Sequence, residues 1–410
     1  MRTPHLLVLT SGIRAYREYL LRSIGREYRV HLVLTEPPTW ERPHVDDWTV
    51  VADLADRGDL VRAAKQISER DPVDGVICWD ETWILQAAHM AAALGLPGDP
   101  EAVERCRDKH RTRQALDARG VPQPGSRLAS DPDDALTAAR DIGFPVVLKP
   151  RALAGSFGVV RANSERELRE FVAFTGGSGA RAPELPTHER NILVEEYADG
   201  QEISVDCVVF RGTVTPLCIA RKEVGFAPYF EETGHVVDPA DLLWDDQNLL
   251  RTVAKTHAAL GFTDGATHTE IKLTPEGPKI IEVNARIGGG MIPYLNQLGG
   301  GADTGLAAAA VACGRQPAVE AASHREVAAI RFYYPERENI VVGGIAFDPD
   351  GLPAEVVRHG RLAEPGEVKS PPPYGLMDGR IAYAITLGSD AAKCRSALEQ
   401  AGRALRVATE

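Results

Sequence analysis

Thr267-His268-Thr269-Glu270-Ile271-Lys272-Leu273 and Lys279-Ile280-Ile281-Glu282-Val283-Asn284-Ala285-Arg286 are two short runs in which polar and apolar residues alternate. Between them stand Thr274-Pro275-Glu276-Gly277-Pro278, a connection with the Pro and Gly of a hairpin turn. A hairpin symmetric about Glu276 sets Glu270 directly opposite Glu282. Period-two alternation then puts Glu270, Glu282, Asn284 and Arg286 on one face and turns Ile271, Leu273, Ile281 and Val283 to a core. Facing carboxylates repel one another across a strand pair. A cation between them removes the objection. Two carboxylates and an amide form an all-oxygen donor set, which suits a hard ion such as Mg²⁺ that keeps waters and binds substrate phosphates. Arg286, further along the same face, is placed to meet a phosphate or oxyanion through two parallel hydrogen bonds. Mixed charge on a solvated strand accounts for any single Glu, but four polar groups in one register over an apolar opposite face favour the cation site.

Upstream, Lys149 ends the apolar run Pro145-Val146-Val147-Leu148, and a loop with small residues, Ala152 to Gly158, follows. Glycines and small side chains such as Gly155 and Ser156 let backbone N–H groups close over phosphate oxygens, with Lys149 as a point charge. This is not a Walker sequence. Lys109, in Arg107-Asp108-Lys109-His110, is a second candidate for the same phosphates, although a surface helix lysine would look alike. Glu195, Glu196 and Tyr197 end another apolar strand, where backbone groups are able to pair with an adenine edge. Glu202 begins the next strand and has the carboxylate that two ribose hydroxyls require.

The rest of the chain frames these motifs. Short apolar runs at His5 to Thr10, Val30 to Leu34 and Val73 to Trp79 alternate with helical stretches at Ala15 to Ile24 and Thr82 to Leu94. Strand and helix in alternation predict a parallel α/β domain over 1–98, with ligands at the strand C-termini. Asp80 and Glu81 fall at one such terminus, where they line a second substrate's site or, for Asp80, cap the following helix. A charged helix over Ala102 to Arg119 and the connector Val121 to Gly125 occupy 99–126. A lid-like unit follows over 127–193, with a polar Gly- and Pro-rich stretch from Gly176 to Arg190 read as mobile. A core is expected over 194–322, and a β-rich C-terminal subdomain over 323–410. The expected class is therefore α/β and α+β multidomain.

Apolar content of 44% and charged content of 25% belong to an ordinary globular protein. A net charge of −12 disfavours general affinity for nucleic acid or anionic membrane, so small molecules are the expected partners. Six scattered cysteines with no CxxC pair read as reduced thiols in a cytoplasm. The apolar runs are too short for a signal h-region or a membrane span. The GxGxxG of a nicotinamide dehydrogenase is missing after Leu6 to Thr10.

The order of these motifs resembles the ATP-grasp superfamily of carboxylate–amine ligases, and within it the L-amino acid ligases that form dipeptides. The resemblance is carried by Gly95-Leu96-Pro97-Gly98, Asp108-Lys109, Phe144 to Pro150, the loop to Val159, Val194 to Tyr197, Glu202, Thr269-Glu270 and Ile281 to Arg286. It implies an ATP-grasp fold with an N-terminal parallel domain, a mobile lid, an antiparallel core and a β-rich C-terminal part. It further implies ATP on Lys109, Lys149, the Gly155-Ser156 loop, Glu195 to Tyr197 and Glu202, with Mg²⁺ (or Mn²⁺) on Glu270, Glu282 and Asn284. Arg286, Gly289 and His235 match residues that face the acyl intermediate or line the substrate pocket. Small-molecule acid and amine substrates are implied, and a homodimer is compatible. Where such ligases carry a bulky side chain after the second glycine, this chain has Gly290, which predicts room for a larger substrate group. The alternatives are an ATP-grasp ligase for an acid other than an amino acid, and a non-catalytic ATP-binding module.

Overall fold

The computed structural model describes residues 2–153, 155–178, 191–320 and 324–409; residues 179–190 of the stretch read as mobile lie outside them. Four strands, Asp47–Val50, Arg29–Leu34, His5–Leu9 and Gly75–Ile77 in spatial order, form an all-parallel sheet. Every residue of His5–Leu9 is buried, as expected where helices cover both faces of a parallel sheet. Three of these strands are legible as apolar runs. Asp47–Val50 is not, because its DWTV is too polar and too exposed to show one.

The helix expected over Ala102 to Arg119 is two helices, Pro100–Arg107 and Lys109–Asp117. Asp108 breaks it, with φ −86° and ψ 102°. Its carboxylate accepts from the backbone N–H groups of His110 and Arg111, capping the second helix. Arg151 grips the same carboxylate with bonds of 2.8 and 2.6 Å. The break turns Lys109 inward: it is 4% exposed, and its backbone N–H donates to the Arg151 carbonyl.

A four-stranded antiparallel sheet follows, in the order Ser126–Ala129, Ile192–Glu196, Val146–Pro150 and Val160–Ala162. Helices Pro132–Ile142 and Glu165–Gly177 cover it, capped by Asp131 and Ser164. Ile192–Glu196 thus pairs wholly within this smaller sheet, across the division drawn at 193/194.

The central sheet has eight strands, in the order Gly277–Asn284, Gly265–Thr274, Gln201–Phe210, Thr213–Gly225, Glu231–Val237, Val327–Tyr333, Ala382–Gly388 and Val356–Arg361. The C-terminal part is β-rich as expected, but three of its strands complete the central sheet. The joint is Glu231–Val237 against Val327–Tyr333. Ile340–Phe347, Val368–Lys369 and Leu405–Thr409 form a small separate sheet. Among the described residues no helix is long and apolar enough to cross a membrane.

Candidate active site

The hairpin has the predicted pairing, Glu270 opposite Glu282 and His268 opposite Asn284, by a different route. Its turn is the two residues Pro275 and Glu276, with Thr274 opposite Gly277. That shorter turn alone would displace the register by one residue. A bulge between Glu270 and Ile271 absorbs the extra residue of the second strand and restores it. The bulge breaks the alternation, so Ile280 joins Ile271 and Val283 in the core while Ile281 lines the cleft. Ile281 was expected in the core.

That cleft holds about 830 Å³ of empty space, counting its opening to solvent. All the candidate site residues line it except two, Gly289 and His235. Lys109, at the start of its helix, donates from Nζ to the Leu153 carbonyl at 2.6 Å and stands 3.1 Å from Glu282 Oε1. Lys149 ends the strand Val146–Pro150, with Nζ 2.6 Å from Glu195 Oε2. Gly155 and Ser156 have φ of +70° and +58°, which bends the loop over the cleft. Tyr197 stacks under Arg161, its ring centroid 4.1 Å from the guanidinium carbon. Glu196 is tied to Lys279 at 2.8 Å and accepts from the Gly125 N–H.

Glu195 has a role that the sequence did not indicate. Its buried carboxylate takes two bonds from Arg113, 2.7 and 3.0 Å, besides that of Lys149. Burial alone would raise its pKa, but Arg113 and Lys149 outweigh it and hold the group down at about 2. Burial pulls the Lys149 pKa down, with Glu195 opposing. A carboxyl depressed in the folded state adds stability that is present above its ordinary value near 4.5 and is lost as pH falls through about 2. Glu195→Gln is therefore expected to flatten the acid limb of stability by roughly 3 kcal/mol. Urea unfolding of both proteins from pH 7 to pH 2 checks this, and parallel acid limbs would refute it.

Lys222 was missed altogether. It comes from the strand Thr213–Gly225, its side chain wholly buried, with Nζ 2.5 Å from Glu232, 2.9 Å from Glu270 and 3.5 Å from Glu202. Burial would lower its pKa, and the three carboxylates outweigh this and raise it well above the usual lysine value. Glu202, Glu232 and Glu270 offer oxygens all within 4.8 Å of one another. Glu202 also meets Lys272 at 3.1 Å. No pattern in the sequence marked Lys222, and its register is not that of Glu270, because Ala220 and Glu270 are the two residues that pair with Ser204.

Glu270, Glu282 and Asn284, the donor set expected for a hard cation, all line the cleft. The amide end of Asn284 stands 3.0 Å from Glu81 Oε2 and 3.2 Å from Glu282 Oε1. With nitrogen toward them it donates to both carboxylates; with oxygen toward them it completes an all-oxygen set. Burial raises the Glu282 pKa against the pull of Lys109, with Glu270 adding to the rise. Lys109 and Lys222 neutralise part of the charge of Glu282 and Glu270, and the carboxylate and amide oxygens of this face are the hard donors that Mg²⁺ takes.

Arg286 lies at the mouth of this face, with Nε on Glu81 Oε2 at 2.8 Å. Asp80 accepts from the Thr82 N–H in the turn before the helix Ile84–Ala93, whose N-cap position is Trp83 and not, as expected, Asp80. In the glycine loop, the Gly288 N–H, one residue before Gly289, donates to Asp206 Oδ2. The room expected at Gly290 is filled, because a Cβ built there would overlap His235 Nε2. His235 is fully buried, and neither ring nitrogen has a hydrogen-bond partner among the described residues. Gly289 faces open space. Asp206 and His268 were also missed: His268 Nδ1 lies 2.6 Å from Asp206 and Nε2 lies 3.5 Å from Glu270. They pair across Gln201–Phe210 and Gly265–Thr274, tying the glycine loop to the hairpin acids.

Residues 142–293 match the ATP-grasp domain, and residues 30–98 match the ATP-grasp N-terminal domain. The chain is an ATP-grasp protein. The whole ATP-grasp chain superposes on an L-amino acid ligase of Bacillus licheniformis with a TM-score of 0.85, at 23% identity and 100% coverage of both chains. In sequence it is 33% identical over 246 residues to the uncharacterized protein y4rH of Sinorhizobium fredii, covering 58% of this chain and 48% of that one. It is 28% identical over 261 residues to an alanine–anticapsin ligase of Bacillus subtilis, covering 59% of this chain and 54% of that one. The chain thus spans about half the length of these curated relatives.

Proposed function

We propose that this ATP-grasp protein joins a carboxylic acid, an amino acid, to the amine of a second amino acid, consuming ATP and releasing ADP and phosphate. The observation that carries the reading is the convergence in one cleft of two buried lysines, Lys109 and Lys149, with Glu270, Glu282 and Asn284 of the hairpin. The amino-acid assignment is supported by the likeness to the alanine–anticapsin ligase and the L-amino acid ligase.

A carboxylate acylates poorly at neutral pH, so amide formation needs a better leaving group. Attack of the substrate carboxylate on the γ-phosphate gives an acyl phosphate and ADP. Lys109 and Lys149 hold the phosphates, and the Gly155-Ser156 loop covers them. Glu270, Glu282 and Asn284 would hold Mg²⁺, which would supply neutralisation of the phosphate charge. The acceptor amine then attacks the acyl carbon, phosphate leaves, and Arg286 stabilises the developing oxyanion. With the Gly288 N–H engaged by Asp206, any backbone donor for that oxyanion comes from Gly289 or Gly290. Closure of the lid over the cleft would keep water from the acyl phosphate.

Incubation with ATP, Mg²⁺ and pooled L-amino acids is expected to yield ADP and phosphate in equal amounts, with a dipeptide detectable by mass. AMP and pyrophosphate as products would sink the reading.

A further inference from the structure

Arg17 is a cation that forms no ion pair among the described residues and lies beside the proposed acyl-transfer loop. It projects from the helix Arg14–Ile24, which follows the first strand of the parallel sheet. Its guanidinium donates to two carbonyls, Gly288 at 3.1 Å and Trp79 at 3.4 Å. Among the described residues it forms no ion pair, whereas its neighbour Arg286 is met by Glu81. The side chain keeps partial exposure. Burial and Arg286 act against its charge and together outweigh Tyr19, Asp80 and Cys78, which favour it.

The position matters as much as the charge. Gly12 and Trp79 lie just past the C-terminal ends of His5–Leu9 and Gly75–Ile77, the edge at which parallel sheets receive ligands. Gly289, next to the carbonyl that Arg17 grips, faces open space. We propose that Arg17 receives the carboxylate of the second substrate, so that the acceptor is an α-amino acid and not a simple amine. This rests on the ligase reading above. A guanidinium with two of its five N–H groups already on carbonyls retains donors for a carboxylate. One positive charge outside any ion pair among the described residues matches a singly charged anion better than a phosphate. In an α-amino acid the amine is one carbon from the carboxylate, so anchoring at Arg17 keeps it near the loop that follows Arg286.

The test is an internal competition. The enzyme with ATP and Mg²⁺ receives an equimolar mixture of pooled L-amino acids and the matching L-amino acid amides, which serve only as acceptors. Mass spectrometry separates dipeptides from dipeptide amides, and their ratio reads acceptor selectivity. The natural chain is expected to favour dipeptides by at least about 50-fold. In Arg17→Ala that ratio should fall at least about 20-fold, with partial recovery in Arg17→Lys, which keeps the cation. A ratio near one in the natural chain, or an unchanged ratio in Arg17→Ala, would overturn the assignment. Should Arg17→Ala fail to fold, an unchanged ratio in Arg17→Lys overturns it equally, because a point charge does not reproduce the planar fork. Hydroxylamine added to the natural chain traps any acyl phosphate as hydroxamate. Absence of hydroxamate and of both products overturns the ligase reading itself, and this inference with it.

Discussion

Glu282→Gln is expected to reduce ATP-driven ligation by roughly 10²–10³-fold or more, the scale of losing one preorganised electrostatic group at a transition state. The change keeps the shape of the side chain and removes its charge. Two consequences meet at that position. The donor set of Glu270, Glu282 and Asn284 loses one of its two anionic members, which weakens its hold on a divalent ion. Lys109, 3.1 Å away, loses its carboxylate and keeps only the Leu153 carbonyl. Its free ammonium is then at liberty to fold onto Glu270 or an incoming phosphate in an unproductive geometry. The fold should survive, because the core face of this strand is carried by Ile280 and Val283. ADP release at saturating substrates checks the rate. A second readout is thermal: Mg²⁺ with ATP should raise the Tm of the natural chain and do so much less in the variant. Turnover within threefold of the natural chain would refute the metal assignment.

The hairpin shows what kind of information the sequence held. Pairing of Glu270 with Glu282 was legible because alternation and turn chemistry are local. The route to it was not, since a two-residue turn plus a bulge gives the same register as a longer symmetric turn. Ile281 was therefore assigned to the wrong face. The lysines tell a similar story. Lys149 stood out by ending an apolar run. Lys222 stood out in no local pattern, because its three carboxylates come from three other strands of the central sheet. The inward turn of Lys109 depended on Asp108, an acidic residue inside a helical pattern, which is ordinary until Arg151 arrives from 43 residues away to hold it. The β-rich character of the C-terminal part was legible, though Val356–Arg361 and Leu405–Thr409 were not singled out. The union of this part with the central sheet was hidden, because it runs through Glu231–Val237, whose EETGHVV lacks a clean alternation.

Gly290→Ala is expected to destabilise the chain by roughly 2–4 kcal/mol, combining overpacking with backbone strain. Gly290 has φ of +55°, a region that costs a residue with a Cβ about 1–2 kcal/mol. The added methyl would also overlap His235 Nε2 and lie 2.8 Å from its Cδ2. The imidazole has little freedom to yield. It is fully buried, packed edge-on to Phe332 at 6.1 Å, and near Glu232. Burial pushes its pKa down to about 3, so the ring is neutral at physiological pH and tolerates its lack of partners. His235 thus fills the volume that the missing side chain at 290 leaves, and the larger substrate group expected from that glycine has no space there. The decisive measurement is a double-mutant cycle. His235→Ala alone should cost stability through a cavity, while His235→Ala with Gly290→Ala should recover the overlap portion of the loss and retain the strain at φ +55°. A coupling of at least about 1 kcal/mol is expected for residues in such contact. Strict additivity would mean that the loop moves aside freely, and would return the question of substrate room to Gly290.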